Sequence, residues 1–158
     1  MSATAYRLPD EPLPSGLTRY AVDPMWPLLA LMLGGNAFGL IWFVVNGLAL
    51  GSPTRTREWV LVAISLLGSA GLVFGLDSLA IAGWLQGSEL RYAALSIITL
   101  KLATAYAIYM MQSRCFEIWE HYGGMARNGL PLLLVIAVIG RGFLATQKWP
   151  AWLGAMLR

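Results

Sequence analysis

Charge is what this sequence has least of. Lys, Arg, Asp and Glu make up 12% of its 158 residues, against 58% hydrophobic. A water-soluble domain usually carries about a quarter charged residues, so this chain cannot coat a water-facing surface. Its mean hydropathy is +0.63, and lipid is the simplest partner for the excess apolar surface. Cysteine is almost absent too. The single Cys115 excludes an intrachain disulfide and leaves no thiolate set for zinc; it reads as a small apolar filler near a helix end. The single histidine, His121, shares a helix face with Glu117, four residues before it, beside Glu120. That spacing can hold a metal, but such a site needs three or four ligands and no second pair exists. The cluster reads as a solvated helix end near Arg114, and no metal or cofactor is expected.

Other chemistry is missing as well. Gly68-Ser69-Ala70-Gly71 lacks the spacing of a nucleophile elbow and any intramembrane base. There is no phosphate loop and no haem ligand pair. No Asp or Glu reads as deep inside an apolar run, as a proton-exchanging exporter would need. The basic residues outnumber the acidic by 11 to 8 and are scattered, which argues against nucleic acid. The chain is therefore expected not to be an enzyme.

What is present is apolar sequence long enough to cross a bilayer, which takes about 20 residues. Four stretches qualify, so the expected fold is all-α, a polytopic membrane protein with four transmembrane helices and short loops. The spans lie at about 25–50, 58–76, 91–112 and 130–147. Pro24 and Pro27 open the first, and Gly51-Ser52-Pro53 closes it, as expected at helix ends. This first helix is expected to act as an uncleaved anchor. Residues 1–24 form a Pro-rich extended tail without the apolar core of a signal peptide. Residues 149–158, with Trp149 and Trp152, read as an interfacial anchor.

Two boundaries are open. The apolar pattern resumes after Asp77 and runs to Leu85; an unbroken helix to that point is about 42 Å long, more than a bilayer requires. A break or kink at Asp77 is therefore expected, with Asp77 or Ser78 capping a short interfacial helix. The third helix meets no breaker until Gly123-Gly124 and is expected to outlast the membrane. Four spans put both termini on one side. Arg7, Arg19, Arg91, Lys148 and Arg158 then face Arg55, Arg57, Arg114 and Arg127, an excess of one residue that places the termini in the cytoplasm.

Helices in lipid associate through small residues. Gly68, Gly71, Gly75, Ser78 and Ala82 recur in steps of three and four on one side of the second helix. Gly35 and Gly39, with Asn46, mark a face of the first. These faces are expected to pack the two helices together, or else to receive another subunit. Asn36 and Asn46 must each find a hydrogen-bond partner. Lys101 sits near the middle of the third span and Arg141 inside the fourth. A charge at that depth costs about 3 kcal/mol or more and marks a candidate site unless it snorkels. The straight-span arrangement puts Lys101, Arg141 and Asn36 at similar depth. Such cations suit a lipid phosphate, another anion or a partner's carboxylate.

The resulting expectation is a non-enzymatic subunit, resident in the lipid bilayer, that assembles as a homo-oligomer or with another membrane protein, with anionic lipid as a candidate ligand. The alternative is a small oligomeric channel or transporter for an anionic solute.

Overall fold

A computed structural model describes residues 11–157. Residues 1–10 of the expected tail, with Arg7, and residue 158 lie outside the described residues. All the regular structure described is helical. The helices are α1 (Met25–Gly34), α2 (Asn36–Leu50), α3 (Arg55–Ile81), α4 (Ser88–His121), α5 (Leu130–Val135), α6 (Arg141–Thr146) and α7 (Ala151–Leu157). A 3-10 turn at Thr18–Tyr20 precedes them, and a π turn at Ile136–Gly140 joins α5 to α6.

Two helices, α3 and α4, are long and apolar enough to cross a membrane. α3 runs through Asp77 without the expected break. Asp77 is exposed, so its carboxylate needs no cap position to satisfy it. The helix stops at Gly83, whose φ of 79° suits glycine. α4 does continue past Met111 to His121, and Gly123 follows at φ 89°.

The first apolar stretch is not one helix over 25–50. At Gly35 the backbone takes φ 111° and ψ 163°, a region that side chains make inaccessible. The chain reverses there, and α2 runs back along α1. The pairing is consistent down the hairpin. A Cβ on Gly39 would lie 2.3 Å from Leu31 Cβ, Trp26 packs in one cluster with Trp42, and the Val22 N–H donates to Asn46 Oδ1 at 2.9 Å. With 10 and 15 residues, the two arms are each shorter than a crossing requires. Apolar periodicity could not reveal the turn, because it needs one residue only and leaves the hydropathy unchanged. Gly35 and Gly39, expected to pack the first span against the second, instead form the turn and the close approach inside this hairpin.

The hairpin's mouth is closed by the tail. Leu13 N–H donates to Gly51 O at 2.8 Å and Ser15 Oγ to Leu48 O at 2.8 Å. Arg127 N–H reaches Ala21 O at 2.9 Å, so the α4–α5 link lies beside the tail. Arg19 and Arg127 both stand over Tyr20. Four straight spans would have put those two arginines at opposite ends; the reversal at Gly35 brings them to one.

Around the hairpin, α4 supplies Ala105 and Ile108 against Leu31, Leu40 and Phe43. The α5–α6 segment crosses the tip, where a Cβ on Gly34 would sit 2.2 Å from Ile136 Cγ2 and one on Gly140 would sit 2.9 Å from Phe38 Cε2. The π turn falls at this crossing. α7 folds back along α3: Trp152 stacks on Phe74 at 6.3 Å, and Leu157 lies beside Val62 and Leu66. The C-terminal segment is thus a packed element of the fold.

Two substitutions separate this hairpin from ordinary helix. Gly35→Ala should destabilise the protein by about 1–3 kcal/mol, the usual cost of a side chain in a glycine-only conformation. Gly71→Ala, in open helix, should be neutral or stabilising by up to about 1 kcal/mol. Thermal unfolding in detergent checks both, and equal melting temperatures for the two variants would refute the reversal.

Candidate functional site

The polar side chains inside this apolar fold gather at two places, the mouth and the tip of the hairpin. The mouth is the larger. Glu58 lies one turn into α3 and is 2% exposed. Its Oε1 accepts from Thr54 Oγ1 at 3.0 Å and from Ser52 Oγ. Its Oε2 accepts from Gln112 Nε2 on α4 at 2.8 Å. Gln112 is fully buried, and its polar atoms are all bonded: its second N–H donates to Phe43 O at 2.8 Å, and its Oε1 accepts from Asn46 Nδ2 at 3.2 Å. The chain of bonds starts at the Val22 N–H on Asn46 and ends on the carboxylate. Gly47 makes room for it, since a Cβ there would lie 2.5 Å from Glu58 Oε2.

Each of these contacts joins two elements: tail to α2, α2 to α4, α4 to α3, α3 to the 51–54 loop. Burying a carboxylate costs several kcal/mol, offset only when its oxygens are bonded with good geometry; bonds to an ionised acceptor are about twice as strong as neutral ones. The arrangement holds elements in register. It is a tie, with no reacting atom beside it.

The sequence reading placed no acidic residue within the apolar body and so missed Glu58, set at the edge of the second span. The signal was local. Ser52 and Thr54 place two hydroxyls just before Glu58, although Thr54 and Glu58 are four apart and not in the three-residue spacing of a capping box. Gln112 gave no sign of a carboxylate partner, because the pairing is 54 residues apart.

At the tip, Asn36 is fully buried. Its Nδ2 donates to Met156 O at 2.9 Å, and its Oδ1 accepts from Ser65 Oγ at 3.4 Å. Met156 lies in the last turn of α7, where carbonyls have no partner within their own helix. Asn36 caps α7 from the side and links it to α2 and α3. Both buried asparagines therefore have the partners that their burial requires.

The remaining candidates are not brought together. Gly68 meets Leu100 of α4, at 2.7 Å from a built Cβ, but nothing lies within 4 Å of Gly71 or Gly75. The expectation that this face packs against the first helix is overturned. Ser65, Ser69 and Val73 are buried on another side of α3, and Gly71 and Gly75 are open. Ser78 bonds only Phe74 O of its own helix, at 2.7 Å. Lys101 is half-buried and continues the stripe of Thr104, Ala105, Ile108 and Gln112, four residues that are buried. Arg141 opens α6, and its side chain lies outside the described residues. Glu117, Glu120 and His121 are exposed. Among the described residues, no group of three or more His, Cys, Asp or Glu converges on a point where a metal would sit. Comparison with protein-family models, curated proteins and solved structures finds no match to this chain.

Removing the carboxylate tests the tie. Glu58→Ala takes an acceptor from the buried Gln112 amide and from the Ser52 and Thr54 hydroxyls, and should cost about 2–5 kcal/mol. Glu117→Ala, at an exposed position, should cost less than about 0.5 kcal/mol. Thermal melting of both in detergent decides the matter, and a Glu58→Ala protein as stable as Glu117→Ala would show that the network contributes nothing.

Proposed function

We propose that this chain is an integral membrane subunit without catalysis of its own, which assembles with itself or with another membrane protein. The observation that carries the reading is lateral. In the most apolar 18-residue stretch of α3 only 11% of the residues are buried, and in that of α4 only 17%. A core helix of a soluble protein passes the same test of length and composition, but it is mostly buried. Here Leu67 and Phe74 on α3 and Ile98 and Tyr106 on α4 are all exposed. Large contiguous apolar surfaces mark membrane or protein contacts. The open Gly71–Gly75 seam lies within this surface and lets another helix backbone approach closely.

In the bilayer, α3 and α4 make full crossings. The α1–α2 hairpin enters and leaves at one end, with exposed Met32 and Leu33 at its apolar tip. The fourth apolar segment, Leu130–Thr146, is about 25 Å long at the standard rise, and α7 fills the space below the hairpin. Arg19, Arg55, Arg57, Arg114 and Arg127 gather at the mouth end, while Arg91 and Lys148 lie at the other. The rule for basic flanks then puts the mouth end, with the N-terminal segment, in the cytoplasm.

The second reading, a channel or transporter for an anionic solute, rests on Lys101. It is half-buried on the inward stripe of α4, and no carboxylate among the described residues pairs with it. Paired substitutions discriminate. Gly71→Leu/Gly75→Leu should keep the monomer's fold, since both positions are open, and abolish cross-linked oligomers or a co-purifying partner in a detergent pull-down read by mass spectrometry. Lys101→Met should leave assembly intact and abolish anion flux in liposomes if the transport reading is right. Assembly unchanged by the glycine substitutions would refute the seam as the assembly face.

A further inference from the structure

Between α2 and α5 the surface carries a groove of about 620 Å³. Its floor is apolar: Phe38, Ile41 and Val45 on one wall, Leu132 and Ile136 on the other. Ile41 is 62% exposed, and Val45 and Leu132 are each 48% exposed. Its mouth is different. Tyr20, Arg127 and Asn128 line it, and the Arg19 guanidinium stands at 4.7 Å from the Tyr20 ring centroid, with Arg127 at 5.9 Å. Two like charges are thus held around one ring. No Asp or Glu lines the groove.

We propose that this groove binds one anionic phospholipid, its phosphate between Arg19 and Arg127 and one acyl chain along the trough. This rests on the membrane reading above, which puts the mouth in the headgroup region. Three observations choose this occupant. The charge is complementary, because two arginines without a carboxylate match a phosphate that can accept paired N–H bonds. The cations are prepositioned: the Arg127 backbone is fixed by its N–H on Ala21 O at 2.9 Å, and both guanidinia rest on an aromatic face. The length also suits. From Leu130 to Ile136 the wall runs about 9 Å inward, parallel to the direction an acyl chain takes from its headgroup. A soluble anion would use the mouth and leave the trough without purpose; a helix of a partner would have to lay an acidic residue against the same two arginines.

The full chain reconstituted into vesicles of equal phosphatidylglycerol and phosphatidylcholine, then extracted in mild detergent, tests this by the lipid that remains bound in native mass spectrometry. The ratio of bound phosphatidylglycerol to bound phosphatidylcholine should exceed the bulk ratio by about five-fold per arginine. Arg19→Gln/Arg127→Gln should abolish the enrichment, and Arg19→Lys/Arg127→Lys should retain part of it. Ile41→Trp, which fills the trough and leaves the mouth untouched, should lower retention of both lipids. Enrichment that survives the glutamine pair, or that inorganic phosphate at millimolar concentration removes, overturns the proposal; so does retention unaffected by Ile41→Trp. Carbonate extraction of the same vesicles separates the two readings. Release of the wild-type chain would refute membrane insertion, whereas a chain that resists extraction and shows no lipid preference refutes the groove alone.

Discussion

Gly35 turns an apolar run long enough to cross a bilayer into two short antiparallel arms, and the rest of the fold is arranged around that turn. With the arms paired, the tail and the α4–α5 link meet at the mouth, while the π turn and α7 meet the tip. The approach is close because Gly39 lies against the Leu31 backbone and Gly34 against Ile136. In a medium without water, helices hold together by such contacts and by hydrogen bonds between them. A side chain at Gly35 would remove the conformation on which the hairpin depends.

The polar groups follow from the same constraint. A hairpin of two short arms brings helix ends into the apolar body of the fold, and helix ends carry unpaired backbone groups. Asn36, at the start of α2, answers one such carbonyl on α7. At the mouth, Asn46, Gln112 and Glu58 form a directed chain from a backbone N–H to a carboxylate. Each amide spends its donors and acceptors on a different element, which fixes register as well as compensating burial. Position along the chain therefore says little about what the three amides do; their partners are between 24 and 120 residues away.

What remains on the outside is the surface that a function would use. α3 turns Ser65, Ser69 and Val73 inward and leaves Gly71 and Gly75 open, so a seam suited to close helix approach is free on an apolar wall. The basic residues collect at the mouth end because the hairpin returns the chain there. The groove between α2 and α5 joins these two features, with an apolar trough opening under two arginines. The assembling membrane subunit proposed above would use all three: a wall for lipid, a seam for a neighbouring helix, and a charged rim that fixes depth.

The sequence by itself determined the helical class, the two long apolar helices and the run of α4 to His121, because those depend on local composition, length and the position of breakers. It also picked out Asn36 and Asn46 as residues that must find a hydrogen-bond partner, since a bare amide in an apolar surrounding is too costly to leave unpaired. It could not tell which face of α3 packs. Two stripes of small residues, one with glycines and one with serines, satisfy the same helical spacing, and only the neighbours that the hairpin and α7 provide choose between them. Nor could it see the reversal at Gly35 or the burial of Glu58. A turn made by one residue leaves the hydropathy of its surroundings intact, and a carboxylate at a helix start is buried or solvated according to what folds over it. Those were decided by tertiary structure, through backbone angles open to glycine alone and through hydrogen-bond donors that arrive from distant parts of the chain.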